Sequence, residues 1–283
     1  MVTSREAEYI REEAYVPEHV IPLMAGISGA EPFFREDLLF FLKEDWMILV
    51  GYPLGRGFQE EAFTRSLEKI RKEFQPDTIW FIAPQIPEGL LPRVGEREAD
   101  EYFRLDLRQS GGRRRLLREA EKAALVLRVE RHRRWYPEHA SLTRAFLERR
   151  DLSPRVRELY LRMPGLLARS ETSLVLSAFD AGGNLSAFFV IETGARRFTV
   201  YVVGCYSQDP YVAHASDLLF REMIRLSREQ SKEAIHLGLG VNEGIRRFKK
   251  KWGGVPDLPY FAGRIATREK TALSWLAALG ARP

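Results

Sequence analysis

Cysteine, histidine and long apolar runs are scarce in this sequence of 283 residues. It holds one cysteine, which excludes a disulfide framework. Its five histidines are scattered, without the spacing of a structural zinc site, so we expect no metal. The best apolar run, residues 38–42, ends at Lys43, far short of the roughly 20 residues of a membrane span. With 45% apolar and 29% charged residues, the composition predicts a globular cytoplasmic protein without a membrane span.

The net charge of +5 is concentrated in one segment. Residues 104–134 carry eleven basic and four acidic side chains, and their apolar residues recur at helical spacing. Such a segment suits an anionic partner, because arginine binds phosphate in bidentate fashion. We therefore expect nucleic-acid contact through Arg113, Arg114 and Arg115. The alternative is an ordinary solvated helix face in a chain that uses arginine throughout.

The second half of the chain reads as three strands, a helix and a strand. Residues 173–179, 185–191 and 197–206 are β-rich and separated by turn residues, which predicts an antiparallel meander. Apolar residues then recur every three or four positions over 211–229, as on one face of a helix. Residues 234–239 read as the next strand. A helix between neighbouring strands predicts a parallel crossover.

The first half repeats part of this order. Residues 47–52 read as a strand, 63–74 as a helix and 78–82 as a second strand. This recurrence suggests two copies of one module. The polar, unpatterned stretch 95–101 marks the boundary, so we predict domains at 1–97 and 98–283.

Residues 236–254, HLGLGVNEGIRRFKKKWGG, carry the most distinctive pattern. A strand ending in Gly-x-Gly, followed by Asn-x-Gly-Ile-x-x-Phe-Lys-x-x-Trp-Gly-Gly, resembles the carboxyl-terminal motif of the Fem-like branch of the GNAT superfamily. That branch includes peptidyltransferases that use aminoacyl-tRNA to build peptidoglycan cross-bridges. The resemblance implies a mixed α/β fold of two tandem GNAT-like modules, the first degenerate. Each would be a mixed, mostly antiparallel sheet flanked by helices.

Lys249 is the first candidate catalytic residue. A helix that begins near Glu243 places Lys249 on the same face as Phe248 and Trp252. An ammonium on an apolar face must snorkel, pair with an anion or lose its proton. Lys249 is therefore a candidate partner for a ligand anion or a developing oxyanion, or else its stem snorkels over Trp252. The resemblance implies that this lysine lies in the acyl-donor site.

The resemblance also implies a donor loop between the third meander strand and the following helix, since loop amides and a helix N-terminus favour an anion. Here the basic residue and the first glycine of the superfamily pattern are missing, and Asp209 and Pro210 disfavour a pyrophosphate. We therefore leave open acyl-CoA and aminoacyl-tRNA as co-substrates, with no permanently bound cofactor. The candidate donor-binding residues are Ser207, Tyr211, Val212, Ala213, His214, Ala215, Ser216, Asn242 and Phe248.

Three further residues are candidates for catalysis. Tyr201 or Tyr206, near the end of the third strand, could act as a general acid toward the leaving thiol or ribose hydroxyl, and Glu192 could position an incoming amine. Packing is the alternative role for both tyrosines.

Two functions follow from these patterns. The first is an N-acyltransferase that moves an acyl or aminoacyl group from acyl-CoA or aminoacyl-tRNA to a primary amine of unknown identity. It requires the strands to splay into a wedge that admits an activated carboxyl donor. The second is a catalytically inactive protein of the same fold that holds RNA or another anionic partner through residues 104–134.

Overall fold

The computed structural model describes residues 1–108, 114–124 and 126–267. The chain begins with helix α1 (Ser4–Glu13), whose capping box joins the Thr3 hydroxyl to the Glu6 amide and the Glu6 carboxylate to the Thr3 amide. A 3₁₀ turn (Pro17–His19) and helix α2 (Ile21–Ser28) follow. Gly29, in the left-handed conformation, ends α2.

Residues 31–99 and 260–267 form one compact unit. Its strands are β1 (Glu31–Arg35), β2 (Leu38–Lys43), β3 (Trp46–Val50) and β4 (Thr78–Ala83), with helix α3 (Glu60–Phe74) between β3 and β4. Strands β1, β2 and β3 pair antiparallel, β3 and β4 pair parallel, and residues 261–266 add an antiparallel strand beside β4. The predicted strand, helix and strand of the first half are confirmed.

Residues 1–30 and 100–259 form the other unit. Its central part contains β5 (Arg97–Asp106), α4 (Arg114–Ala123), β6 (Arg128–His132), α5 (Pro137–Arg149), α6 (Pro154–Leu161) and α7 (Met163–Arg169). The basic segment 104–134 is thus part of two strands and one helix. The helical spacing is observed in α4, whereas the rest of the segment is not helical, because β5 and β6 both join the sheet.

The predicted meander is confirmed in β7 (Ser173–Phe179), β8 (Leu185–Glu192) and β9 (Phe198–Tyr206). Helix α8 (Ala215–Glu229) leads to β10 (Ala234–Leu239), which pairs parallel with β9, as predicted. Residues 211–214 precede α8 as a loop, so the helix begins later than its apolar pattern indicated. Helix α9 (Glu243–Lys251) and strand β11 (Val255–Ala266) complete the described chain.

The sheet of this unit runs in the order β5-β10-β9-β8-β7-β6 and separates two apolar clusters. One cluster packs α8 and α9 on the sheet through Phe220, Met223 and Trp252. The other includes Leu23 of α2, Leu166 of α7 and Phe188 of β8. Burial on both faces explains why β8 reads as a nearly continuous apolar run.

The two compact units differ from the predicted division at residues 97 and 98. Residues 1–30 belong with residues 100–259, while residues 260–267 belong with residues 31–99. Each unit is therefore built from two separate segments of the chain, a division that no local change of composition marks.

Candidate active site

Strands β9 and β10 separate after three paired positions, the last of which is His236 opposite Val200. Beyond it both strands are irregular. The β8–β9 register jumps at Val202, and the β10–β5 register shifts between His236 and Leu239. Gly238, inside the second shift, has φ +71°, a conformation that glycine adopts at least cost. Bulges of this kind bend a strand, and we call the unpaired region of the two strands beyond His236 and Val200 the β9/β10 gap.

The Lys249 side chain reaches the start of this gap. It is 3% exposed, and Nζ donates a hydrogen bond to the Leu239 carbonyl at the end of β10. Nζ also lies 5.6 Å from the centre of the Phe103 ring. The predicted apolar placement of Lys249 is therefore observed, with its ammonium directed at β10. Burial lowers the pKa of Lys249 to about 7; Asp100 opposes this shift and Arg246 adds to it.

Adjacent His236 on β10 is 1% exposed and holds an unused hydrogen-bonding atom. Its Nδ1 accepts a 3.2 Å hydrogen bond from the Gly238 amide, which places the proton of the neutral ring on Nε2. Nε2 has no partner among the described residues. Burial, with the Lys249 and Arg104 charges, lowers the pKa of His236 to about 3, so the ring is neutral near pH 7. Sequence reasoning missed His236.

Asp217 fixes α9 against the start of α8. Its carboxylate, 4% exposed, accepts 3.0 Å hydrogen bonds from the Trp252 indole and from Nδ1 of His214. It also accepts bonds of 2.8 and 2.9 Å from the Lys251 ammonium. Lys249 therefore lies on a helix that its neighbours Lys251 and Trp252 fix to Asp217. The sequence offered one signal for Asp217, an acidic residue in the first turn of a helix.

A second anchor joins the start of α9 to β5. Asp100 accepts 2.8 Å hydrogen bonds from the Val241 amide and the Arg246 guanidinium. Burial would raise the pKa of Asp100, but these bonds outweigh burial and lower it. Asn242, a predicted donor-binding residue, is the N-cap of α9, and its side chain accepts a 3.0 Å bond from the Ile245 amide. Phe248 packs edge to face on Phe220.

The loop between β9 and α8 carries the other predicted donor-binding residues. Ser207 is occupied locally, since its hydroxyl donates to the Asp209 carbonyl and accepts from the Asp209 amide. His214 has φ +64°, and its Nε2 lies 3.5 Å from Glu119 of α4. Tyr211 and Ala213 are exposed, Val212 and Ser216 are half-buried, and Ala215, the first residue of α8, is buried.

The two candidate tyrosines lie at different parts of β9. Tyr201 follows the last residue paired with β10 and packs edge to face on Phe189, and burial raises its pKa. Tyr206 lies five residues further, roughly 16 Å along the strand. Its hydroxyl accepts a 2.6 Å hydrogen bond from Arg150. The structure therefore places Tyr201 beside the start of the gap and Tyr206 at its outer end.

Glu192 is fully buried at the end of β8, and its carboxylate already has several donors. They are the Ser170 hydroxyl at 2.9 Å, the Gly194 amide at 2.7 Å and the Ser173 hydroxyl. These contacts tie the ends of β7 and β8 together. The hydrogen-bonding capacity of Glu192 is therefore used at the ends of β7 and β8, and the structure does not bring Glu192 together with Lys249.

The basic segment carries many charges that are compensated within the protein. Arg108 pairs with Asp106, Lys122 with Glu119, Arg128 with Glu130, and Arg131 with Glu222 and Glu229. Arg115 is exposed, whereas Arg113 and the Arg114 side chain lie outside the described residues. Within that described part, no group of three metal-ligating side chains occurs, and no helix is long and apolar enough to cross a membrane.

No family model and no curated protein matches the sequence. Solved structures do share its fold. The chain is similar to a domain assigned as the C-terminal part of a lysylphosphatidylglycerol synthetase from Agrobacterium fabrum, with 18% identity and TM-score 0.58 over 96% of this chain and 93% of that chain. FemX gives 13% identity and TM-score 0.63 over 93% and 96%. A tandem GNAT protein from the clavulanic acid biosynthesis pathway gives 14% and 0.52 over 94% of both chains.

These similarities show a GNAT/Fem-like fold, as the carboxyl-terminal motif predicted. The fold is mixed α/β, with helices flanking a mixed sheet, and its known examples include a tandem GNAT protein.

Proposed function

We propose that this chain is an acyltransferase that moves an aminoacyl group from aminoacyl-tRNA to a primary amine. The observation that carries the proposal is the buried Lys249 ammonium at the start of the β9/β10 gap. Named neighbours of the same fold, FemX and a lysylphosphatidylglycerol synthetase domain, support an aminoacyl substrate.

The surroundings of the α8 N-terminus favour aminoacyl-tRNA over acyl-CoA. A bound pyrophosphate needs free amides and a positive field. Asp217 already lies in the first turn of α8, Glu119 lies beside His214, and Asp209 is exposed in the loop. Asp217 and Glu119 are paired with Lys251 and Lys122, so the Asp209 carboxylate is the charge that opposes two phosphates at this place. An aminoacyl ester has no pyrophosphate and needs none of these contacts.

Lys249 provides the charge that an acyl transfer requires. The acceptor nitrogen attacks the ester carbonyl carbon, the new C–N bond forms, the C–O bond to the ribose breaks, and the ribose oxygen takes up a proton from the amine. Negative charge develops on the carbonyl oxygen meanwhile. An ammonium has three donors, so Lys249 keeps its bond to the Leu239 carbonyl while a second N–H faces that oxygen.

The pKa of Lys249 adds a pH dependence to this step. With a pKa of about 7, the protonated, stabilising form is lost as pH rises through neutrality in the free enzyme. Transfer should therefore decline above about pH 7 in kcat/KM, and Lys249→Arg, which stays charged, should lack that decline.

Thermal-shift measurements test the donor. The stabilisation by acetyl-CoA, longer acyl-CoAs and charged tRNA is compared for wild type and Lys249→Ala. Lys250→Ala, at an exposed neighbouring position, is the control. Charged tRNA at about a hundred times its dissociation constant should add about 2.7 kcal/mol of stability. A shift with acyl-CoA and none with charged tRNA would overturn the donor assignment, and no shift with any donor would overturn the function.

A further inference from the structure

Four side chains form an aromatic and cationic surface at the outer end of β9, which we call the Tyr206 platform: Phe146, Arg150, Tyr206 and Tyr211. The Arg150 guanidinium carbon lies 5.8 Å from the Phe146 ring centre and 5.9 Å from that of Tyr206. The Tyr206 hydroxyl fixes this guanidinium through its 2.6 Å bond. Tyr211 packs edge to face on Tyr206, with ring centres 6.4 Å apart.

The platform is open to solvent where it could bind a flat ligand. Tyr211 is 63% exposed, the highest value for a large aromatic side chain in the described part of the chain, and Arg150 is exposed. Tyr206 and Phe146 are half-buried and hold the exposed pair in place. An exposed aromatic ring beside a fixed guanidinium is the arrangement on which proteins stack unpaired nucleobases.

The charges around the platform favour a base over a phosphate at Tyr211 itself. Asp209 is exposed two residues away and repels phosphate, whereas a nucleobase is neutral. Close in sequence to Arg150, helix α5 carries the exposed cations Arg144 and Arg149 beside the exposed acid Glu148. A strand of RNA can thus stack a base on Tyr211 and turn its phosphates toward α5.

We propose that the Tyr206 platform binds an unpaired nucleobase of the 3′ end of a charged tRNA. The inference rests on the proposed function, because Lys249 sets where the aminoacyl ester lies. The platform is roughly 16 Å from Tyr201 along β9, and successive stacked nucleotides are about 3.4 Å apart. The stacked base therefore belongs to the last few nucleotides before the ester.

The test is a fluorescence-anisotropy titration with two RNA hairpins, one with an unpaired 3′ tail of four nucleotides and one blunt-ended. Wild-type protein should bind the tailed hairpin about tenfold more tightly, the effect of one base stacked on an aromatic side chain. Tyr211→Ala and Arg150→Ala should abolish the preference, and Tyr211→Phe should keep it. Arg144→Ala, the matched control on α5, should weaken both hairpins equally.

Each failure has a distinct signature. If wild type and Tyr211→Ala prefer the tailed hairpin equally, the proposed role of the platform is wrong. It is also wrong if CoA competes with the tailed hairpin for wild type but not for Tyr211→Ala, because the adenine of CoA then occupies the site. Aminoacyl transfer that Tyr211→Ala leaves at the wild-type kcat/KM also overturns it while the proposed function stands. Tail binding through Tyr211 without transfer from any charged tRNA leaves the platform standing and refutes the proposed function.

Discussion

Replacing Lys249 by methionine should change the pH dependence of stability in a calculable way. The pKa of Lys249 in the folded protein is about 7, against 10.5 for an ordinary lysine. Between these values the unfolded chain binds more protons than the folded one, so the free energy of unfolding rises with pH. At about 1.4 kcal/mol per pKa unit, the rise between pH 7 and 10 amounts to at most about 4 kcal/mol.

Urea unfolding at pH 6, 8 and 10 measures this term as the difference between wild type and Lys249→Met. At pH 6 the variant should be the more stable protein, because it lacks the cost of a buried charge. By pH 10 that advantage should shrink by several kcal/mol. Lys250→Met, at an exposed position of the same helix, should differ from wild type by a constant amount. A difference between wild type and Lys249→Met that does not vary with pH would refute the burial of this charge.

Two further predictions concern other buried groups. Asp217→Asn removes the negative charge that pairs with Lys251 and should lower the free energy of unfolding, measured in urea, by about 2 kcal/mol. Asp180→Asn in an exposed turn should cost much less, and equal effects would contradict the anchoring role of Asp217. Folding lowers the pKa of His139 to about 4 and that of His236 to about 3. Below about pH 6.5 the unfolded chain therefore binds more protons than the folded one, and the free energy of unfolding should fall as pH drops. A melting temperature that is constant from pH 7 to 4.5 would contradict this.

The sequence predicted the elements that carry strong local patterns. The β10 strand at 234–239 and the helix that begins at Glu243 were predicted with the bounds observed. The apolar face of α9 correctly located Lys249, because helix periodicity alone places residues three and four apart on one face.

Features set by distant contacts could not be predicted. Asp100 and Arg246 pair across 146 positions, and residues 1–30 pack with a unit that resumes at Asp100. The bulges at Val202 and Gly238 depend on neighbouring strands, not on the local sequence. The charge of the basic segment could not be judged from its own residues for a related reason. Its arginines are partly neutralised by acids far along the chain, such as Glu222.

The central claim is that Lys249 stabilises the reacting carbonyl of an aminoacyl ester. The direct measurement is the single-turnover rate of label transfer from a pool of radiolabelled aminoacyl-tRNAs to amine acceptors, for wild type, Lys249→Met and Lys250→Met. Wild type and Lys250→Met should transfer at similar rates. Lys249→Met should be slower by 10²- to 10³-fold, as when one oxyanion donor is removed, with donor affinity unchanged. Transfer by Lys249→Met at the wild-type rate would contradict the claim.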